Sequence, residues 1–151
     1  MTGQIKMETT LKDLKETIQK AHKKFKDISS QEWNYRSAPN KWSRKEILGH
    51  LIDSASNNHQ RFVRVQFEDN PAIRYDQDKW VMTQDYFNAA IDDLIELWFN
   101  YNKHLVHIIS KIPTDKYNRT CNVGQEEPVT LEWLAEDYLR HLKHHLNQIL
   151  L

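Results

Sequence analysis

Near its C-terminal end the chain reads Tyr138-Leu-Arg-His141-Leu-Lys-His144-His145-Leu-Asn-Gln148. A four-residue spacing puts His141 and His145 one turn apart on one face of a helix. Two imidazoles placed so can converge on one cation, as they do in helical HExxH sites. His141 and His144 could pair in a similar way. With Tyr138 as origin and about 100° per residue, His145 falls near −20°, His141 near −60° and His144 near −120°. The first two therefore face the apolar side, and His144 faces water or a neighbour. A buried imidazole pair without partners is expensive, and a metal ion would satisfy one nitrogen of each. The spacing alone leaves a second reading open, in which the pair is a hydrogen-bonded polar group of the core or part of the surface.

A third ligand is available in the segment Trp42-Ser43-Arg-Lys-Glu46-Ile-Leu-Gly49-His50-Leu51. His50 lies beside an apolar stripe, on a polar flank shared with Ser54, Asn57 and Arg61. Gly49 sits inside the same helix at a cost of about 1 kcal/mol against alanine, which points to a packing or access requirement. Three neutral imidazoles suit a divalent zinc, nickel, iron or manganese ion, with zinc or nickel favoured. They would leave a coordination position open, the mark of a catalytic site. Such an ion lowers the pKa of water toward about 7 or activates a thiol. Glu46, Asp53, Asp137 and Gln148 lie three or four residues from these histidines and are candidates to orient them. Arg61, Arg74, Tyr75 and Trp80 are candidates for the pocket wall. His22 is expected among solvated lysines, and His59, His104 and His107 on helix flanks. Cys121, in the polar stretch Arg119-Thr-Cys121-Asn-Val-Gly124, reads as an exposed thiol.

The elements that must carry these residues follow from composition and periodicity. The chain has 151 residues, a length that suits one domain spanning 1–151. It holds only three glycines and four prolines, too few for the turns of a sandwich or barrel. Lysine plus arginine and aspartate plus glutamate both number 21, so the basic excess of a nucleic-acid binder is missing. A polybasic membrane anchor is missing as well. One cysteine excludes an internal disulfide and a multi-cysteine zinc site. No run approaches the roughly 18 apolar residues of a membrane span, and the N-terminal stretch lacks the apolar core of a signal peptide. A cytoplasmic protein is expected.

Four amphipathic helices are predicted. The first runs from Thr10 to Ile28, capped by Thr9 or Thr10. The second begins at the capping box Ser43/Glu46 and ends near Phe67. The third covers Thr83 to Lys111, with apolar residues from Phe87 to Ile112 and a stop at Pro113. The fourth starts after Thr130 and runs to the C-terminus through Leu131, Leu134, Tyr138, Leu142, Leu146 and Ile149. The implied fold is all-α, a four-helix bundle. Its linkers are longer than the 2–8 residues usual in simple bundles. They are therefore expected to cover one end of the bundle or to carry short helical turns.

The pairing of Trp42-Ser43-x-x-Glu46-Ile47-Leu48-Gly49-His50-Leu51-Ile52-Asp53-Ser54 with Tyr138-x-x-His141-x-x-His144-His145-x-x-Gln148-Ile149 resembles the DinB superfamily in its YfiT-like branch. The segment Tyr75-Asp76-Gln77-Asp78-x-Trp80 is similar to that branch too, and the resemblance covers roughly residues 30–150. It implies a four-helix bundle with a divalent metal held by His50, His141 and His145, often in a homodimer. It also implies a hydrolase, or a transferase that uses a low-molecular-weight thiol on a small-molecule substrate. Against this enzyme reading stands a non-catalytic metal-binding bundle that serves as a binding or assembly module. A nucleic-acid role is suggested only by the family's name and is opposed by the neutral charge.

Overall fold

The computed structural model describes residues 2–151. Six α-helices carry the fold: α1 (Gly3–Phe25), α2 (Ser30–Trp33), α3 (Arg44–Arg64), α4 (Gln77–Gln84), α5 (Ile91–Ser110) and α6 (Leu131–Leu150). The four long ones, α1, α3, α5 and α6, form a bundle. In it α3 and α1 each pack against both α5 and α6. A two-stranded antiparallel ribbon, β1 (Thr120–Cys121) with β2 (Val129–Thr130), precedes α6 and pairs Thr120 with Thr130 and Cys121 with Val129.

Each long helix is amphipathic, and its apolar stripe is what the bundle buries. Helix α1 buries Met7, Leu14, Ile18, Ala21 and Phe25. It begins seven residues before the expected Thr10, because Thr2 caps it and Met7 extends the stripe about one turn ahead of Leu11. It ends at Phe25 rather than Ile28. At α3 the capping box forms as read. The Ser43 hydroxyl accepts from the Glu46 amide at 3.1 Å, and the Glu46 carboxylate accepts from the Ser43 amide at 2.9 Å. Thr130 caps α6 in the expected place, accepting from the Trp133 amide. At the centre lie Trp98, Phe25, Phe62 and Leu105, each almost fully buried. No helix among the described residues is long and apolar enough to cross a membrane.

The expected third helix is divided in two. Helix α4 ends at Gln84, Asp85 takes the left-handed conformation at φ 50°, and a short 3₁₀ turn over Tyr86–Asn88 precedes α5. The apolar spacing runs on through Phe87 and Ile91, so periodicity conceals the break. What makes it is tertiary: Tyr86 turns inward onto α3, and its hydroxyl donates to Asp53 Oδ1 at 2.6 Å.

The linkers do carry structure. Trp33 of α2 is buried edge-on against Phe25 at 5.4 Å. Residues 35–44 fold back on the start of α3: the Arg44 amide donates to the Tyr35 carbonyl, and Arg36 donates to the Lys41 carbonyl. At the other end of α3, Arg119 donates to the carbonyls of Val65 and Glu68 and holds the ribbon there.

Candidate metal centre

Helices α3 and α6 are neighbours, and their contact brings His50, His141 and His145 together. The Nε2 atoms of His50 and His141 lie 3.1 Å apart. The ring centroids are 5.0 Å apart for His50–His141 and 4.6 Å apart for both His50–His145 and His141–His145. One nitrogen from each ring falls within 4.8 Å of the others. Among the described residues this is the one group of three such side chains so arranged.

Burial sets their chemistry. His50 is fully buried, deeper than the flank position its helical phase implies, and Ser54 and Asn57 on the same strip are buried as well. Desolvation, then repulsion from His141 and His145, lowers the His50 pKa to about 3. Desolvation, then His145 and His144, lowers that of His141 to about 4. His145 is also lowered, by desolvation first, with His144 adding to it and Gln148 opposing. All three are therefore uncharged at neutral pH, the form in which imidazole donates a lone pair to a metal. The donor set is three neutral nitrogens with no carboxylate. That suits a borderline divalent ion such as zinc or nickel and not the oxygen-seeking calcium or magnesium.

One orienting contact is made. Gln148 Oε1 accepts from His145 Nδ1 at 2.8 Å, which turns the Nε2 lone pair of His145 away from Gln148. The other three candidates are engaged elsewhere. Glu46 is held by the α3 cap and by Arg36. Asp137 pairs with Arg140 at the surface. Asp53 is buried and takes the Tyr86 hydroxyl at 2.6 Å and the Gln84 amide at 2.8 Å, with burial raising its pKa. Its Oδ2 and the Nδ1 of His50 are buried without a partner among the described residues. Gly49 has the packing reason its position called for: a Cβ there would stand 2.2 Å from Tyr86 Cδ2.

A cleft of about 580 Å³ opens beside His145 and Gln148. Its walls include Tyr35, Lys41, Trp42, Arg44 and Ile47, with Gln77 and Asp78 from the start of α4. Trp42 also leans on His50 at 4.9 Å, so the cleft and the histidines are continuous. None of the four expected wall residues lines it. Arg61 donates twice to the Ile73 carbonyl and pins the 71–76 segment to α3. Tyr75 and Trp80 pack edge to face at 5.5 Å, and Arg74 lies against Gly124. Sequence reasoning missed Trp42, which occupies the position just before the Ser43 cap. The hydrophobic-staple pattern, Trp42 with Ile47, was the signal that could have found it.

The remaining assignments divide. His144 is exposed, as its phase implies. His104 and His107 are exposed, and His59 is half-buried with Nδ1 2.8 Å from the Tyr101 hydroxyl. His22 is not simply solvated: it stacks on Phe99 at 3.7 Å and meets Glu96 at 2.9 Å. Cys121 is not exposed. The short ribbon buries it completely, its thiol donates to the Pro71 carbonyl at 3.4 Å, and burial raises its pKa.

Comparison with known proteins agrees with this architecture. The DinB superfamily model matches residues 13–149. A Bacillus cereus protein named "Putative metal-dependent hydrolase" is 21% identical over 144 residues, which is 95% of this chain and 83% of that protein. A Bacillus thuringiensis protein with the same descriptive name matches to the same extent. Among solved structures, YfiT from Bacillus subtilis superposes with a TM-score of 0.86 at 22% identity, covering 95% of this chain and 83% of that one. It is described as a probable metal-dependent hydrolase with an unusual four-helix bundle topology. The fold is therefore a four-helix bundle of the YfiT-like type, and the chain belongs to the DinB superfamily.

Proposed function

We propose that this protein is a metal-dependent enzyme in which His50, His141 and His145 hold one divalent ion, with hydrolysis of a small molecule as its reaction. The observation that carries this reading is the meeting of three uncharged imidazoles from α3 and α6, His50 fully buried and His141 and His145 half-buried, beside a cleft of small-molecule size. The names of the Bacillus relatives support it. When bound, the ion supplies Lewis acidity for attack by water or by a low-molecular-weight thiol. The chain's own residues do the rest. Gln148 fixes the tautomer of His145. Trp42 covers the His50 ring and limits its contact with water. Gly49 lets Tyr86 close against α3. Zinc or nickel is the ion we favour over iron or manganese. We place the protein in the cytoplasm, following the composition, and as a homodimer, following the family resemblance.

The test is zinc and nickel titration of tag-free protein, followed by a screen for ester, amide and phosphoester hydrolysis and for thiol addition to an electrophile. One ion per chain, lost in His145→Ala, with turnover in the hydrolytic arm, is the expected result. Turnover only in the thiol arm would reassign the reaction to S-transfer. Binding of the ion with no turnover in either arm would leave a non-catalytic bundle. No bound ion, with stability unchanged by a chelator, would overturn the metal reading. Light scattering on the same samples tests the dimer.

A further inference from the structure

Histidines also meet outside the metal centre. His59, half-buried on α3, touches exposed His104 on α5, with ring centres 5.4 Å apart and planes at 88°. Two imidazoles that share one tetrahedral ion, on metal–nitrogen bonds of about 2.0–2.1 Å, hold their ring centres about 5 Å apart. The rings of the first centre stand 4.6 Å and 5.0 Å apart. His59 Nδ1 lies 2.8 Å from the Tyr101 hydroxyl. Tyr101 and His104 are three residues apart on α5 and share a face, so one helix supplies both the anchor for the His59 ring and its imidazole neighbour. With Nδ1 protonated and donating to Tyr101, the Nε2 lone pair of His59 is left for an ion. Burial, then repulsion from His104, lowers the His59 pKa, so this ring is uncharged at neutral pH. Neither ring pairs with a carboxylate among the described residues. His107 stacks on His104 at 6.3 Å and does not join the pair in a group of three.

This pair does not extend the first centre. His50 and His59 are nine positions apart on α3, about 14 Å along the helix at 1.5 Å per residue. Two ions that act together on one substrate lie about 3.5–4 Å apart. We propose that His59 and His104 form a second, independent site for a borderline divalent ion, zinc, copper or nickel, with water completing its shell. Two imidazoles without a carboxylate suit these ions and not calcium or magnesium. An ion held there joins α3 to α5, so it clamps the bundle and takes no part in the chemistry at His50. The exposed side of His104 lets the ion enter from solvent.

The experiment is zinc titration of the full, tag-free chain against a chelating dye, with imidazole nitrogen-15 NMR spectra recorded alongside. A tight and a weaker equivalent are expected, the weaker by at least about 10-fold because it has two protein ligands in place of three. The weaker one should move the His59 and His104 signals. His59→Asn and His104→Asn should each weaken that equivalent at least about 10-fold and leave the tight one intact. His104 is exposed, so its variant keeps the test alive if the His59 variant folds poorly. His145→Ala should do the reverse. Zinc should still raise the melting temperature of His145→Ala, but not that of His145→Ala/His104→Asn. His22→Asn, which removes the ring stacked on Phe99, should leave both equivalents unchanged. A weaker equivalent that survives both the His59 and His104 substitutions is zinc bound adventitiously elsewhere and would overturn the proposal. So would a single equivalent that disappears in His145→Ala. A single equivalent that disappears in His104→Asn would instead remove the reading of His50, His141 and His145 and leave this one standing.

Discussion

The Nε2 atoms of His50 and His141 face each other at 3.1 Å across the contact between α3 and α6. With no ion between them, one nitrogen must donate to the other. Neither ring can take a second proton without placing charge in a desolvated contact.

That relationship gives the metal-free protein a pH dependence of definite sign. The folded values, about 3 for His50 and about 4 for His141, lie below the roughly 6.5 of an unfolded imidazole. Below pH 6.5 the unfolded chain therefore binds more protons, and stability falls as pH falls from about 6.5 toward 4 and then 3. Thermal melts of metal-free protein between pH 7 and 4 should show this loss. His141→Leu, which removes one of the two titrations, should flatten the slope. An unchanged slope in that variant would show that His141 contributes nothing to the acid sensitivity.

Gln148 accepts the Nδ1 proton of His145 at 2.8 Å. Gln148→Leu should weaken zinc binding by about 10-fold, because the imidazole loses its fixed tautomer. Gln148→Glu should retain the affinity. Competition with a chelating dye measures both, and equal affinity in all three proteins would deny Gln148 any orienting role.

Gly49→Ala places a methyl where Tyr86 Cδ2 stands 2.2 Å away. Denaturant unfolding should show a loss of about 1–3 kcal/mol from overpacking. Tyr86→Phe should also destabilise, since buried Asp53 loses one of its two donors. The double variant should depart from additivity, because the two residues share one contact.

Cys121 should react with an aromatic disulfide reagent orders of magnitude more slowly in the native protein than in denaturant. Burial hides the sulfur and raises its pKa, so little thiolate is present. Fast native labelling would mean that the ribbon opens readily.

Most of the fold was legible from local pattern. The stripes of α3, α5 and α6, the Ser43–Glu46 box and the Thr130 cap depend on residues three or four positions apart, and such signals survive without tertiary context. The early start of α1 was missed because Thr9 and Thr10 offer a cap of their own, and Gly3, a weak helix former, stands where the helix actually begins. The division between α4 and α5 was missed because the apolar period continues across it, while the cause, Tyr86 reaching Asp53, spans 33 positions. Cys121 was misplaced because a two-residue strand in a polar stretch leaves no periodicity to read.

The site divides in the same way. The sequence alone determined which side chains could ligate, and it put His141 and His145 on one helix face, because a four-residue spacing is a property of the helix itself. Only the tertiary structure decided that His50, 91 positions from His141, meets that pair. It alone decided that Gln148, of the four candidates, reaches a ligand ring, and that Trp42, Lys41 and Arg44 form the wall in place of Arg61, Arg74, Tyr75 and Trp80. Those outcomes depend on how α3 and α6 pack and on where the 35–44 loop folds back, relations between distant segments that no local spacing encodes.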